Sequence, residues 1–176
     1  MEAIKIILLS VVAAVTFGIL HDQVTARICV EYFTIGHVPM FDTESPTLLA
    51  IGWGTIATWW VGVLLGVPAA GLARIGRMPK LSAARLIRPI GYLMLAAACA
   101  SLTAGMAGYL AARAGWVWLV GEMAIRVPAE KHTAFVTDLW AHTAAYGASA
   151  VGGVILWGWI WWQRVRLMRQ ARVGAS

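Results

Sequence analysis

Residues 6–20 read IILLSVVAAVTFGIL and residues 21–37 read HDQVTARICVEYFTIGH. The first run carries no charge. The second packs two of the chain's four histidines together with Asp22, Arg27 and Glu31. A helix needs about 20 apolar residues to cross the hydrocarbon of a bilayer, and counting from Ala3 brings it out at His21–Asp22. The end of the run, VTFGILHDQ, offers no small-x-small cleavage site, so it is expected to be a retained first span rather than a signal peptide. An apolar span that opens onto a polar stretch is the reading from which the rest follows.

Composition supports it. Of the 176 residues, 60% are hydrophobic and 12% charged, against about 25% charged in an average soluble domain. A soluble globule of this size cannot hide that much apolar surface, so lipid is expected to cover part of it. The formal net charge of +6 raises the question of nucleic acid. The basic residues, however, flank apolar runs and form no interleaved basic–aromatic surface, so no nucleic-acid partner is expected.

One transmembrane domain, 1–176, is expected to be all-α, with four helices in an up-down bundle spanning about 3–22, 47–70, 89–112 and 138–162. Segments 23–46 and 113–137 would lie outside. Helix would continue from Gln23 to Ile35, pairing Arg27 with Glu31, and stop at Gly36 in a left-handed conformation. The motif Gly62-x-x-x-Gly66 offers a close-packing face, as do Ala144, Ala148 and Gly152. Residues 71–88 form a cytoplasmic loop and 163–176 a cytoplasmic tail. Pro89 starts the third span and Pro128 marks the start of the fourth helix. Lys5, the loop bases Arg74, Arg77, Lys80, Arg85 and Arg88, and the tail bases Arg164, Arg166, Arg169 and Arg172 share one side. Arg27, Arg113, Arg126 and Lys131 lie on the other, so both termini are expected in the cytoplasm. Trp116, Trp118, Trp157, Trp159, Trp161 and Trp162 read as interface anchors. Trp53, Trp59 and Trp60 read as lipid-facing packing, with a lipid or quinone groove as the alternative. Cys29 and Cys99 fall near opposite ends of the predicted spans, so no disulfide is expected.

All four histidines and seven of the eight acids fall toward the outer side. A 20-residue stretch ending at Trp162 begins at Thr143, which sets Asp138 and His142 at the depth of His21 and Asp22. In an up-down bundle the first and last helices close the ring, so these four side chains converge. Imidazole and carboxylate together suit iron, copper, zinc or manganese. The expected ligands are His21, Asp22, Asp138 and His142, with Glu31 and His37 next. A haem held by His21 and His142 is an alternative. No Glu-x-x-His, HExxH, phosphate-cradling loop or nucleophile elbow is present. The function that follows is a metal- or haem-binding membrane protein, with a redox enzyme acting on a lipid-soluble substrate as its catalytic form. A non-enzymatic assembly subunit with a membrane-protein partner or as a homo-oligomer, and a small proton-coupled transporter, are the other readings.

The run HDQVTARICVEYFTIGH, with Pro46–Thr47, the WGTIATWW of Trp53–Trp60 and the DLWAH of Asp138–His142, resembles an uncharacterised family of small bacterial membrane proteins. The resemblance covers most of the chain. It implies the bacterial cytoplasmic (inner) membrane and no particular mechanism.

Overall fold

A computed structural model describes residues 1–173. Among them the chain is helical and contains no strand. Four stretches, Glu2–Ile28, Pro46–Arg74, Ala83–Arg113 and Ala129–Val173, are long and apolar enough to cross a membrane.

Helix α1 (Glu2–Ile28) buries Ile6, Ser10, Gly18, Asp22 and Thr25. That spacing of three to four residues, or multiples of it, traces one face of a 3.6-residue helix. The helix does not continue to Ile35. Cys29 adopts an extended conformation (φ −147°, ψ 96°) and is buried, and a separate short helix α2 (Val30–Thr34) follows. This break removes the i,i+4 geometry expected to pair Arg27 with Glu31. Arg27 instead donates to the Gln23 side chain (2.6 Å) and to Thr47 Oγ1 (2.8 Å), and Glu31 pairs with Lys131 at 3.1 Å. Gly36 is not left-handed. A Cβ there would clash with the Tyr32 carbonyl oxygen and lie 3.0 Å from the Phe135 ring, so the close approach of these atoms is what requires glycine.

The second apolar stretch is two helices, α3 (Pro46–Ile56) and α4 (Trp59–Arg74), offset at Ala57–Thr58. Small residues bring them onto α1. A Cβ on Gly62 would lie 2.5 Å from the Val11 Cα, and one on Gly18 would lie 2.5 Å from the Gly54 carbonyl oxygen. The expected face at Gly62 and Gly66 is thus used, and Gly18 and Gly54 extend it.

Helix α5 (Ala83–Arg113) begins six residues before Pro89, so Pro89 lies inside it and the preceding link shortens to 75–82. The Glu2 carboxylate of α1 caps its first turn, accepting from the Ala83 amide at 3.1 Å. It ends on Gly115 at φ 72°, with the Trp116 amide bonded to the Ala111 carbonyl at 2.9 Å, a glycine-closed helix terminus. After α6 (Gly121–Arg126) and a 3-10 turn, α7 runs from His132 to Val173. The expected tail is therefore helical to Val173, and its last three residues lie outside the described ones.

The order around the bundle differs from the expected ring. Helix α1 packs on α3, α4 and α5, α7 packs chiefly on α5 and then on α4, and α1 touches α7 only sparingly. The four apolar stretches are therefore arranged first–second–fourth–third, with the first and fourth facing each other diagonally. The distinguishing contacts are α7 on α4, where Gly153 meets the Leu65 side chain and Trp157 the Leu65 carbonyl, and α1 on α5, where His21 meets Ser101. Two glycine-lined pairs are common to both orders. Gly18, Gly54, Gly62 and Gly66 join the first two stretches. Gly105 against Ala141, Gly108 against Trp140 and Gly152 against Leu93 join the last two. The eight-residue link 75–82 can reach about 26–29 Å, well beyond the diagonal of about 14 Å for helices 8–10 Å apart.

Arg164 holds that link. It is 1% exposed, and its guanidinium donates to the carbonyls of Ile75 (2.8 Å), Met78 (3.0 Å), Pro79 (2.9 Å) and Leu72. Arg164 is thus an internal clasp rather than a solvated tail base. Trp157 also turns inward, its Nε1 donating to the Leu65 carbonyl at 3.0 Å, whereas Trp161 and Trp162 remain half exposed.

Candidate metal centre

Three of the expected residues meet across the bundle axis. Asp22 Oδ1 stands 3.0 Å from His21 Nδ1 and 3.2 Å from His142 Nε2. The ligand atoms of His21, Asp22 and His142 all lie within 4.8 Å of one another, a group that could hold a metal ion. The three side chains are only 10%, 8% and 12% exposed. The diagonal order of the helices makes this possible. Residues on facing helices point at a common centre, whereas on adjacent helices they would meet at an edge.

Two hydrogen bonds orient the imidazoles. The other nitrogen of His142, Nδ1, is 2.8 Å from the Asp138 carbonyl. A carbonyl only accepts, so Nδ1 carries the proton and Nε2 of the neutral ring offers a lone pair. That lone pair faces a carboxylate oxygen, and two acceptors at 3.2 Å require a proton or a cation between them. The Nε2 of His21 is 2.8 Å from Ser101 Oγ. Binding through one ring nitrogen while the other is held by a neighbouring polar group is how metal-ligating histidines are fixed.

Asp138 is brought near but not into this group. It is fully buried, and neither of its carboxylate oxygens has a hydrogen-bond partner. It lies within electrostatic reach of Asp22, Tyr32 and Cys29. Asp22 and Asp138 together supply two acidic groups to one buried region.

Glu31 and His37 stand apart from the three. Burial alone would push the Glu31 carboxyl up. Its own backbone amide, the Lys131 ammonium and the Cys29 thiol outweigh that and hold it below the usual range. Burial, reinforced by the neighbouring acids, pushes the Cys29 thiol up to about 12. His37 Nδ1 donates to the Tyr32 carbonyl at 2.8 Å, and its ring packs 4.5 Å from that of Trp53. His132 is bonded to the Val127 carbonyl at 3.0 Å. The break at Cys29 folds α2 over the centre, so that the Tyr32 ring stacks on His142 at 4.5 Å. Burial raises the Tyr32 phenol further, which keeps it uncharged there.

A haem between His21 and His142 does not fit. The two rings meet edge to face with centroids 4.5 Å apart and share one carboxylate oxygen, leaving no slab between them for a macrocycle.

Below the centre a cavity of ≈ 120 Å³ runs down the bundle. His21, Asp22, His37 and His142 line one end, and Ser10, Ile90 and Leu156 line the other. Trp53, 8% exposed, belongs to its wall, whereas Trp59 and Trp60 are half exposed on the outside. Ser101 carried no recognisable motif. Its only signal is its place on the buried face Ala97–Ser101–Gly105–Gly108 of α5.

No protein-family model matches the chain, and neither does any curated protein or solved structure.

Proposed function

We propose that this protein is a multi-pass protein of the bacterial cytoplasmic membrane that binds one transition-metal ion through His21, Asp22 and His142 at the outer boundary. The observation that carries the reading is the approach of two imidazole nitrogens to one carboxylate oxygen at 3.0 and 3.2 Å. Bonds of about 2.0–2.2 Å to a common ion place tetrahedral ligand atoms about 3.3–3.6 Å apart. The two N···O distances are within a few tenths of an ångström of that, and all three ligand atoms lie within 4.8 Å of one another. Two histidines and one carboxylate, with further positions open, form the donor set of non-haem iron(II) sites. Iron is therefore the first candidate, with zinc and copper next. The outward orientation rests on the bias of basic residues toward the end where Glu2, the 75–82 link and Arg164 meet. A redox-active ion there would make the protein an oxidoreductase whose substrate arrives through the lipid.

Metal analysis of the detergent-purified protein, before and after anaerobic reconstitution with iron(II), zinc or copper, tests the proposal. One equivalent per chain is expected, lost in His142→Ala and Asp22→Asn. Wild-type protein that binds no more metal than a His21→Ala/Asp22→Asn/His142→Ala variant would overturn it. The continuous chain Ser101–His21–Asp22–His142 supports a second reading, a proton-coupled carrier. In that case metal-free protein in liposomes would dissipate a pH gradient and Asp22→Asn would not.

A further inference from the structure

We infer that the cavity below the centre binds an uncharged amphiphile with a hydroxyl-bearing head and a single hydrocarbon chain. This goes beyond the metal reading and does not depend on it.

Length and width set the tail. Ser10 lies eleven residues below His21 on α1, about 16 Å at the helical rise, and Leu156 lies fourteen residues from His142, about 21 Å. Both ends line the same cavity. A cavity of ≈ 120 Å³ over that length is narrow and has room for no more than one chain, not the two of a phospholipid. Between the ends the wall is Ala13, Phe17, Val61, Leu65, Leu93 and Met94, an apolar lining suited to a hydrocarbon chain.

Charge and hydrogen bonding set the head. The lining contains no lysine or arginine, and its one formal charge is Asp22. A phosphate or carboxylate head would meet repulsion with nothing to neutralise it. The mouth is instead rich in acceptors. His37 commits Nδ1–H to a backbone carbonyl and so presents Nε2 as an acceptor, beside the Asp22 carboxylate, whereas His142 Nε2 is engaged with Asp22 Oδ1. Such a mouth selects a head that donates. Phe17, Tyr32, Phe33 and Trp53 surround it, flat faces that suit a ring. Isoprenoid quinols and long-chain alcohols share the required chemistry, and the aromatic walls favour the quinol.

Titration calorimetry on metal-chelated protein in detergent, against empty micelles, tests this with four probes: decylubiquinol kept anaerobic, decylubiquinone, dodecanol and laurate. Saturable binding of the quinol at one per chain is expected. Quinone and laurate should each bind about tenfold more weakly or worse, the quinone because its carbonyls donate nothing. Quinol tighter than dodecanol identifies a ring ligand, and equal affinity identifies a chain alcohol; both sustain the inference. Equal binding of laurate or quinone, or uptake no different from empty micelles, overturns it. Ala145→Phe, which fills the cavity wall, should abolish binding. Should that variant not fold, Ser149→Leu at the half-buried edge of the same wall replaces it. The titration repeated on metal-loaded protein separates the two readings. A protein that takes up metal but no quinol refutes the cavity ligand alone, and the converse refutes the metal alone.

Discussion

Replacing Asp138 by leucine should stabilise the metal-free protein, the reverse of what removing a buried polar residue usually does. Asp138 is 0% exposed and neither of its oxygens has a partner. Leucine has the same branching, so the swap removes the orphaned groups without opening a cavity. An unpartnered polar group costs about 1–3 kcal/mol on protein mutational scales, and replacing buried ionic groups by apolar ones of similar shape gains about 1–4 kcal/mol. We expect metal-free Asp138→Leu to be about 1–3 kcal/mol more stable than wild type, with Asp138→Asn in between. Metal should compress the gap. At one hundred times its dissociation constant a ligand adds about 2.7 kcal/mol to wild type. If losing the second acidic group lowers affinity by about 10–100-fold, as changes next to a metal shell do, the variant gains only about 0.4–1.4 kcal/mol. The assay is unfolding by SDS titration in mixed micelles, followed by circular dichroism, with chelator or with iron(II) under anaerobic conditions. A metal-free leucine variant less stable than wild type would mean that Asp138 has a partner in the protein, and the reasoning would fail. Equal stabilisation of both proteins by metal would remove Asp138 from the site's electrostatics.

Three further outcomes are expected. Arg164→Ala leaves four carbonyls without their donor, and with some water entry at the bundle end should cost about 3–5 kcal/mol. Arg164→Lys should cost less, because its ammonium still supplies three donors, and equal stability of all three proteins in SDS titration would disprove the clasp. With its thiol pushed up to about 12 from the ordinary 9.0, Cys29 should alkylate about a thousandfold more slowly at pH 8 than the same residue in SDS-unfolded chain; equal rates would show it is not held as described. The Glu31 carboxyl is held below its ordinary 4.5. Its contribution to stability is therefore complete above about pH 4.5 and is lost as pH falls through the lower folded value. Glu31→Gln should flatten that part of the stability–pH curve, and an unchanged curve would show that the Lys131 contact contributes nothing.

The depth of each residue was legible because it depends on two constants, the rise of a helix and the thickness of hydrocarbon. Counting from Ala3 and back from Trp162 set His21, Asp22 and His142 at one level, and they meet there. Bearing around the bundle depends on which faces interlock, and no count supplies it. A ring closed by the first and fourth helices was the simplest expectation, yet the fourth stretch packs on the second, with Gly153 and Trp157 both meeting Leu65, and the link 75–82 is left to cross. Local geometry misled in the same way. The spacing of Arg27 and Glu31 suits an ion pair only if the helix continues, and the extended Cys29 stops it.

By itself, then, the sequence determined that the chain is helical, that four stretches can cross a bilayer, and that its histidines and all but one of its acids gather at the end opposite most of its basic residues. Apolar run length and charge placement are one-dimensional properties, and they constrain a membrane protein strongly. Only the tertiary structure decided that two histidines converge on Asp22, that Ser101 orients one of them, that Asp138 is left unpartnered, and that Arg164 binds a loop instead of water. Those facts depend on contacts between residues 80 or more positions apart, set by which helix faces interlock rather than by neighbours in sequence.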